Sequence, residues 1–276
     1  MKIDNYLFDT IKIVLSAGKK ILKIYNTDIL IDYKSDKSPV TNADLIANKF
    51  ILFELQKFNL PIVSEESVSD VNSGNMDLYW LVDPLDGTKE FINNNDDFTV
   101  NVALIEFGVP ILGVVFAPAV NECFFGSINI RSKHLKIDII SENIPETFNE
   151  LITKSSEIEN NFDENFNVLV SRSHLNSKTL TFVDKISLNR PVGKLIKMGS
   201  SLKICKLAQG LASIYPRFES TKIWDTAAGH AILNFAGGSI KSVFGEELIY
   251  NHNKIDNPDF IAKKIKYENE KKYFSV

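Results

Sequence analysis

Two aspartates, Asp83 and Asp86, close the apolar run Leu78 to Val82 in the string LYWLVDPLDGTKEF. Pro84 between them fixes the backbone, so both carboxylates and the Leu85 carbonyl can converge on one point. Gly87 and Thr88 then open a helix, whose first N–H groups favour an anion. A cation beside a phosphate suits that arrangement. A second apolar run, Ile62–Val63–Ser64, ends in Glu65 and Glu66, and Asp225 follows Trp224 at the mouth of a further helix. Two carboxylates about 4 Å apart repel by about 4 kcal/mol at an effective dielectric near 20, so a cluster of four must be protonated or hold cations. Hard oxygen donors with no His or Cys nearby favour Mg²⁺, with Mn²⁺ as the alternative, over zinc or copper. Each acid also has a plainer reading. Asp86 and Asp225 fit helix caps, Glu65 and Glu66 fit a solvated loop pair, and Thr41 with Asp44 spells a capping box.

Those residues need elements to carry them. From Tyr6 to Tyr25 the apolar residues Leu7, Ile11, Val14, Leu15, Ile21, Leu22 and Tyr25 fall at helical spacings, which predicts one long amphipathic helix. A second is predicted from Thr41 to about Phe58, with Leu45, Leu52 and Leu55 inward and Pro39 at its boundary. A polar loop, Lys34 to Pro39, joins the two. Short apolar runs bounded by turn residues then read as strands: Pro61 to Ser64, Leu78 to Val82, Thr99 to Glu106, Val109 to Phe116 and Cys123 to Gly126. Phe107 and Gly108 predict a hairpin, hence antiparallel pairing. The stretch from Asn143 to Asn165, rich in Asn, Glu and Ser, has weak periodicity and reads as a connection. Beyond it are predicted a strand at Asn167 to Ser171, helices near Ser177 to Ile186 and Ser201 to Gly210, and a strand at Ala212 to Pro216. A last helix runs from Trp224 to the Gly237–Gly238 stop. Two lobes are expected, 1–145 with most of the acids and 146–276 with Asp225.

The chain has 276 residues, 44% of them hydrophobic, enough to bury a large core. A net charge of −4 argues against binding a nucleic-acid polymer, which needs many Lys and Arg against phosphates. A small anion remains suitable if positive charge is concentrated at one site. No apolar run nears the roughly 20 residues of a membrane span, and the start MKIDNYLFDT lacks a signal-peptide pattern. A cytoplasmic location is expected, with loose attachment to the cytoplasmic face of the inner membrane left open. Cys123 and Cys205 read as reduced core thiols. Both monomer and homodimer stay open.

The strings SEES at 64–67, DPLDGT at 83–88 and WDTAAGHA at 224–231 resemble, in order and separation, the signatures of the inositol monophosphatase superfamily. The resemblance implies a mixed α/β (α+β) fold, a layered αβαβα sandwich of the sugar-phosphatase type, and Mg²⁺-dependent, lithium-sensitive hydrolysis of phosphomonoesters. Carried over residue by residue, it makes Glu65, Asp83, Asp86, Asp225 and the Leu85 carbonyl the metal ligands, with Asp83 bridging two ions. A third, weaker ion near Glu65 is a further option. Asp44, in the segment TNAD, and Thr88 would then handle the attacking water, while Gly87 and Thr88 meet the phosphate. Hydrolysis of such esters needs accelerations of up to about 10²¹-fold, beyond what one carboxylate supplies but within the repertoire of two-metal sites.

In the second half SRSH at 171–174, GSSLK at 199–203 and YPRF at 215–218 resemble the CysQ-type 3′(2′),5′-bisphosphate nucleotidase branch more than the inositol phosphatases. That likeness implies a small nucleotide bisphosphate as substrate. Adenosine 3′,5′-bisphosphate would lose its 3′-phosphate to give AMP, with 3′-phosphoadenylyl sulfate as a further substrate and nucleotide recycling in sulfur assimilation as the setting. Ser200, Lys203 and Arg217 are the expected contacts to the second phosphate, and His174 to the nucleotide. Lys203 also fits a solvated helix face and His174 a packed or exposed side chain. Arg217 follows an apolar strand and could offer a guanidinium fork to phosphate. Two rivals remain: an inositol monophosphatase or fructose-1,6-bisphosphatase with the same metal site, and a non-catalytic nucleotide-binding sensor. The complete set of acids with Thr88 argues against the sensor.

Overall fold

Along the central strands Trp80, Val82, Val100, Val102 and Leu104 face one core, while Tyr79, Leu81, Ala103 and Ile105 face another, and all are buried. An alternating strand that is apolar on both sides must be covered on both sides. The computed structural model describes residues 3–25, 27, 29–34, 36–70, 76–159 and 162–264, and it shows what does the covering.

Seven strands form the larger sheet, in sequence order: β3 (Ile62–Ser64), β4 (Leu78–Asp86), β5 (Thr99–Glu106), β6 (Val109–Ala117), β7 (Glu122–Ser127), β8 (Ile130–Lys136) and β9 (Ser156–Glu157). β3 and β4 are parallel and the other pairs antiparallel. Helices α1 (Ile3–Leu22) and α2 (Asn42–Leu55) pack on one face. Helices α6 (Leu202–Ala208) and α7 (Ile223–Phe235) pack on the other. The far side of α6 and α7 meets a five-stranded sheet of order β11 (Leu195–Met198), β10 (Val168–Ser171), β12 (Ile214–Arg217), β14 (Phe260–Lys263) and β13 (Ser239–Ser242). Helix α5 (Ser177–Ser187) closes that sheet's outer face through Phe182, Val183 and Ile186. The result is five layers, helix, sheet, helix, sheet, helix. α7 approaches the larger sheet closely because Gly113 lies beneath it; a Cβ there would stand 2.3 Å from the Ala228 carbonyl oxygen. Outside both sheets, β1 (Ile31–Tyr33) and β2 (Pro39–Thr41) make a separate antiparallel ribbon around the predicted polar loop.

Several local expectations change. Tyr25 lies past the end of α1, its ring packed on Phe91 and Phe98. Leu45 is not inward: it is 54% exposed, and the buried face of α2 is Ala43, Asp44, Ala47, Asn48, Ile51 and Leu55. Apolar residues stand on both faces of this helix, so periodicity alone was ambiguous, and the cap at Thr41 turns Asp44 inward and Leu45 outward. The expected connection from Asn143 to Asn165 contains α4 (Phe148–Lys154), capped by Thr147, and the edge strand β9. Asn160 and Asn161 within it lie outside the described residues, as do 265–276 of the expected second lobe. Strands β8, β11, β13 and β14 went unpredicted because they are short or mixed in polarity, as IRSKHLK in β8 shows. Cys123 and Cys205 are free and buried, as expected. Among the described residues no helix is long and apolar enough to cross a membrane.

Candidate active site

Parallel pairing of β3 and β4 sets Ser64 opposite Val82, so Glu65 and Asp83 leave neighbouring strands at the same level. Asp225 arrives from the first turn of α7. One carboxylate oxygen from each of Glu65, Asp83 and Asp225 lies within 4.8 Å of the others. Asp83 is 1% exposed, and burial pushes its carboxyl well above the usual range, with Glu65, Asp86 and Asp225 adding to the shift. Asp225 is raised by burial, then by Asp86 and Glu65. Its helix-cap reading also holds, since Oδ2 accepts the Lys222 N–H at 2.9 Å.

Asp86 stands beside this trio, outside it. Its Oδ2 accepts the Ser201 N–H at 2.5 Å and Asn101 Nδ2–H at 3.3 Å. Burial lifts its carboxyl to about 6, against the opposing pull of Lys203. Glu65 and Glu66 both accept from the Lys34 ammonium, at 2.7 and 2.6 Å. Burial alone would lower the Lys34 pKa, but the two carboxylates hold it above its ordinary value.

Behind the acids, Asp44 performs two tasks with two oxygens. Oδ2 accepts the Thr41 N–H at 2.8 Å and the Thr41 hydroxyl at 2.5 Å, completing the capping box, while Oδ1 accepts the Thr88 hydroxyl at 3.2 Å. The Leu85 carbonyl also lies 3.3 Å from Thr88 Oγ1. Burial raises the Asp44 carboxyl, although the Thr41 bonds oppose the shift. Gly87, at φ +91°, makes the sharp entry into α3 (Thr88–Ile92), a conformation that a side chain would strain.

A cleft of ≈ 290 Å³ runs from Glu65, Asp86, Gly87, Thr88 and Asp225 to His174, Ser200, Lys203 and Arg217. Asp44, Asp83 and Leu85 lie behind its lining. Lys203 and Arg217 are 5% and 7% exposed. Lys203 is therefore not a solvated helix residue: its ammonium donates to the Ser200 carbonyl at 2.5 Å and sits 5.4 Å from the Tyr215 ring centre. Burial lowers its pKa to about 8, with Asp86 opposing. Arg217 donates to the carbonyls of Glu219 and Ser220 at 3.2 and 3.4 Å. His174 is half-buried, its pKa lowered by burial and then by Arg217 and Lys89.

Sequence reasoning missed Lys34, Asn101 and Ser201. Asn101 carried a signal, a polar residue inside the apolar run TVNVALI, which implies a buried partner. That partner is Ser201, whose hydroxyl donates to Asn101 Oδ1 at 2.7 Å. Lys34 carried no such mark. The trio at the acid end offers only carboxylate oxygens, three acids against the one Lys34 ammonium on Glu65, which fits a hard divalent cation.

Comparison with known proteins agrees with this geometry. Residues 4–273 match the model of the inositol monophosphatase family. The chain is 41% identical over 242 residues to the 3′(2′),5′-bisphosphate nucleotidase CysQ of Buchnera aphidicola, covering 86% of this chain and 84% of that one. It is 36% identical over 252 residues to the Escherichia coli protein of the same name, covering 89% and 94%. The crystal structure of CysQ from Bacteroides thetaiotaomicron superposes with a TM-score of 0.84 at 36% identity, over 96% of this chain and 99% of that one. Motifs, layered fold and acid cluster thus converge: this chain belongs to the inositol monophosphatase family.

Proposed function

We propose that this protein removes the 3′-phosphate of adenosine 3′,5′-bisphosphate, giving AMP and phosphate, with Mg²⁺ as its cation. One observation carries the reading: a single cleft joins a trio of carboxylates to two buried cationic side chains. The CysQ relatives are named as 3′(2′),5′-bisphosphate nucleotidases, which supports a bisphosphate nucleotide as substrate.

Glu65, Asp83, Asp225 and Asp86, with the Leu85 carbonyl, would hold two Mg²⁺ ions. When bound, Mg²⁺ supplies positive charge for the phosphate oxygens and the leaving alkoxide. The remaining work falls to the chain. Because the Thr88 hydroxyl donates its hydrogen bond to Asp44, its oxygen is left as an acceptor, suited to orient a water toward phosphorus. As the water oxygen bonds to phosphorus the P–O3′ bond breaks, one water proton passes toward the Thr88–Asp44 pair, and the departing 3′-oxygen takes up a proton from solvent to become the 3′-hydroxyl of AMP. Its raised affinity for protons fits Asp44 to that role. Lys203 and Arg217 would take the 5′-phosphate, and His174 would lie beside the nucleoside.

The test is phosphate release from adenosine 3′,5′-bisphosphate, inositol 1-phosphate and fructose 1,6-bisphosphate, each with Mg²⁺ and with chelator. The bisphosphate nucleotide should be hydrolysed fastest, and only with Mg²⁺. Faster turnover of inositol phosphate would instead support the rival phosphatase.

A further inference from the structure

Polar contacts cross the seam between the two sheets beside the acids, and those made by Asp97 have no part in the hydrolytic step. Gly199, Ser200 and Ser201 connect β11 to α6, with Ser200 at φ +41°. Both ends of this turn are held by aspartates from the larger sheet's side. The Gly199 N–H donates to Asp97 Oδ2 at 2.9 Å, and the Ser201 N–H to Asp86 Oδ2 at 2.5 Å. Contact is so close that a Cβ on Gly199 would lie 2.8 Å from the Asp97 carbonyl oxygen. The same Asp97 oxygen accepts Arg172 Nη2–H at 2.6 Å and Nε–H at 3.2 Å. Arg172 directly follows β10, so the exits of β10 and β11 are fastened to one carboxylate. Those exits carry His174 and Ser200 to the cleft.

We propose that Asp97 is a positioning residue for substrate selection: by holding the Gly199 amide and the Arg172 guanidinium on one oxygen, it fixes the second sheet's cleft residues relative to the acids. Arg172 is then a tether to Asp97 and not a ligand of the substrate. This deepens, and rests on, the bisphosphate reading above. The physical reason is geometric. Arg172 is 43% exposed, so its ion pair contributes little to folding stability. Misplacing a group that binds the substrate's second phosphate, in contrast, weakens that binding and so acts mainly on KM.

The experiment compares Asp97→Asn, Asp97→Ala, Arg172→Met and the Asp97→Ala/Arg172→Met pair with the unaltered protein. Hydrogen exchange is followed in a peptide spanning 196–203, and KM and kcat are measured on adenosine 3′,5′-bisphosphate and adenosine 3′-monophosphate. Asp97→Ala should speed exchange in that peptide without affecting the larger sheet. It should raise KM for the bisphosphate on the order of tenfold while kcat and the monoester change about twofold or less, as loss of a charge-assisted hydrogen bond predicts. Asp97→Asn should be milder, and the pair no worse than Asp97→Ala alone. Unchanged exchange, additive losses, or an equal fall in kcat on both substrates would overturn the proposal. An unaltered protein that ignores the bisphosphate would sink the earlier reading instead, and the exchange measurement would still decide whether Asp97 holds the turn.

Discussion

At one end of the cleft Glu65, Asp83 and Asp225 converge with like charges against the one ammonium of Lys34 on Glu65; at the other, Lys203 and Arg217 are both buried and each already has partners. Lys203 has the Ser200 carbonyl and Asp86 nearby, and Arg217 has two backbone carbonyls. The difference separates two kinds of site. The acid end is an electrostatic liability that an added cation relieves, so it suits chemistry that depends on that cation. The cationic end is compensated before any ligand arrives, so it suits selection among ligands.

The sharpest way to break this contrast is Asp83→Asn. Turnover should fall by about 10³-fold or more on every substrate, as expected if the proposed metal site loses a ligand. The metal-free protein should at the same time gain about 1 kcal/mol, because a buried repulsion is removed at the expense of function. Activity assays and thermal melts in chelator read both effects, and a less stable variant would erase the distinction drawn between the ends. Arg217→Ala probes the other side. KM for adenosine 3′,5′-bisphosphate should rise by a few tens-fold, matching about 2 kcal/mol for a lost charged hydrogen bond, with a simple monoester less affected. Equal losses on both would remove Arg217 from selection.

The smallest effects are two pH effects, each a loss as pH rises but in different windows. Lys203 loses its proton as pH rises through about 8, so KM for the bisphosphate should climb a few-fold above that pH, while a monoester's KM stays flat. At the acid end the folded carboxyls bind protons more tightly than unfolded ones, with Asp86 at about 6. The native state therefore holds extra protons between about pH 4 and 6, and metal-free stability should fall as pH rises through that window. Melting temperatures at pH 5 and 7.5 in chelator check the sign, and Mg²⁺ should abolish the drop.

Legibility in the sequence followed the same division. The acid end could be read because Asp83 and Asp86 share one rigid turn, and because SEES and WDTAAGHA recur in a known order. The central strands were equally clear, since both faces of β5 and β6 are apolar and Asn101 is the one polar interruption within TVNVALI. The five-stranded sheet was harder. Its strands β11, β13 and β14 have four residues each, and β13 is three-quarters polar, leaving no period to detect. Burial of Lys203 was equally hidden, because sequence spacing placed it on a helix but could not say that two sheets enclose that helix. Asp97 was invisible for a related reason: its partners Arg172 and Gly199 lie 75 and 102 residues away.

The close seat of α7 over Gly113 has a consequence for the order of biosynthesis. A ribosome makes Glu65, Asp83 and Asp86 long before it reaches Asp225, and the larger sheet can begin to assemble while that aspartate is still unmade. Until α7 settles on the glycine the cage lacks a wall, so a nascent chain should bind divalent ions only weakly. Acquisition of the metal would then report that the two halves of the protein have come together.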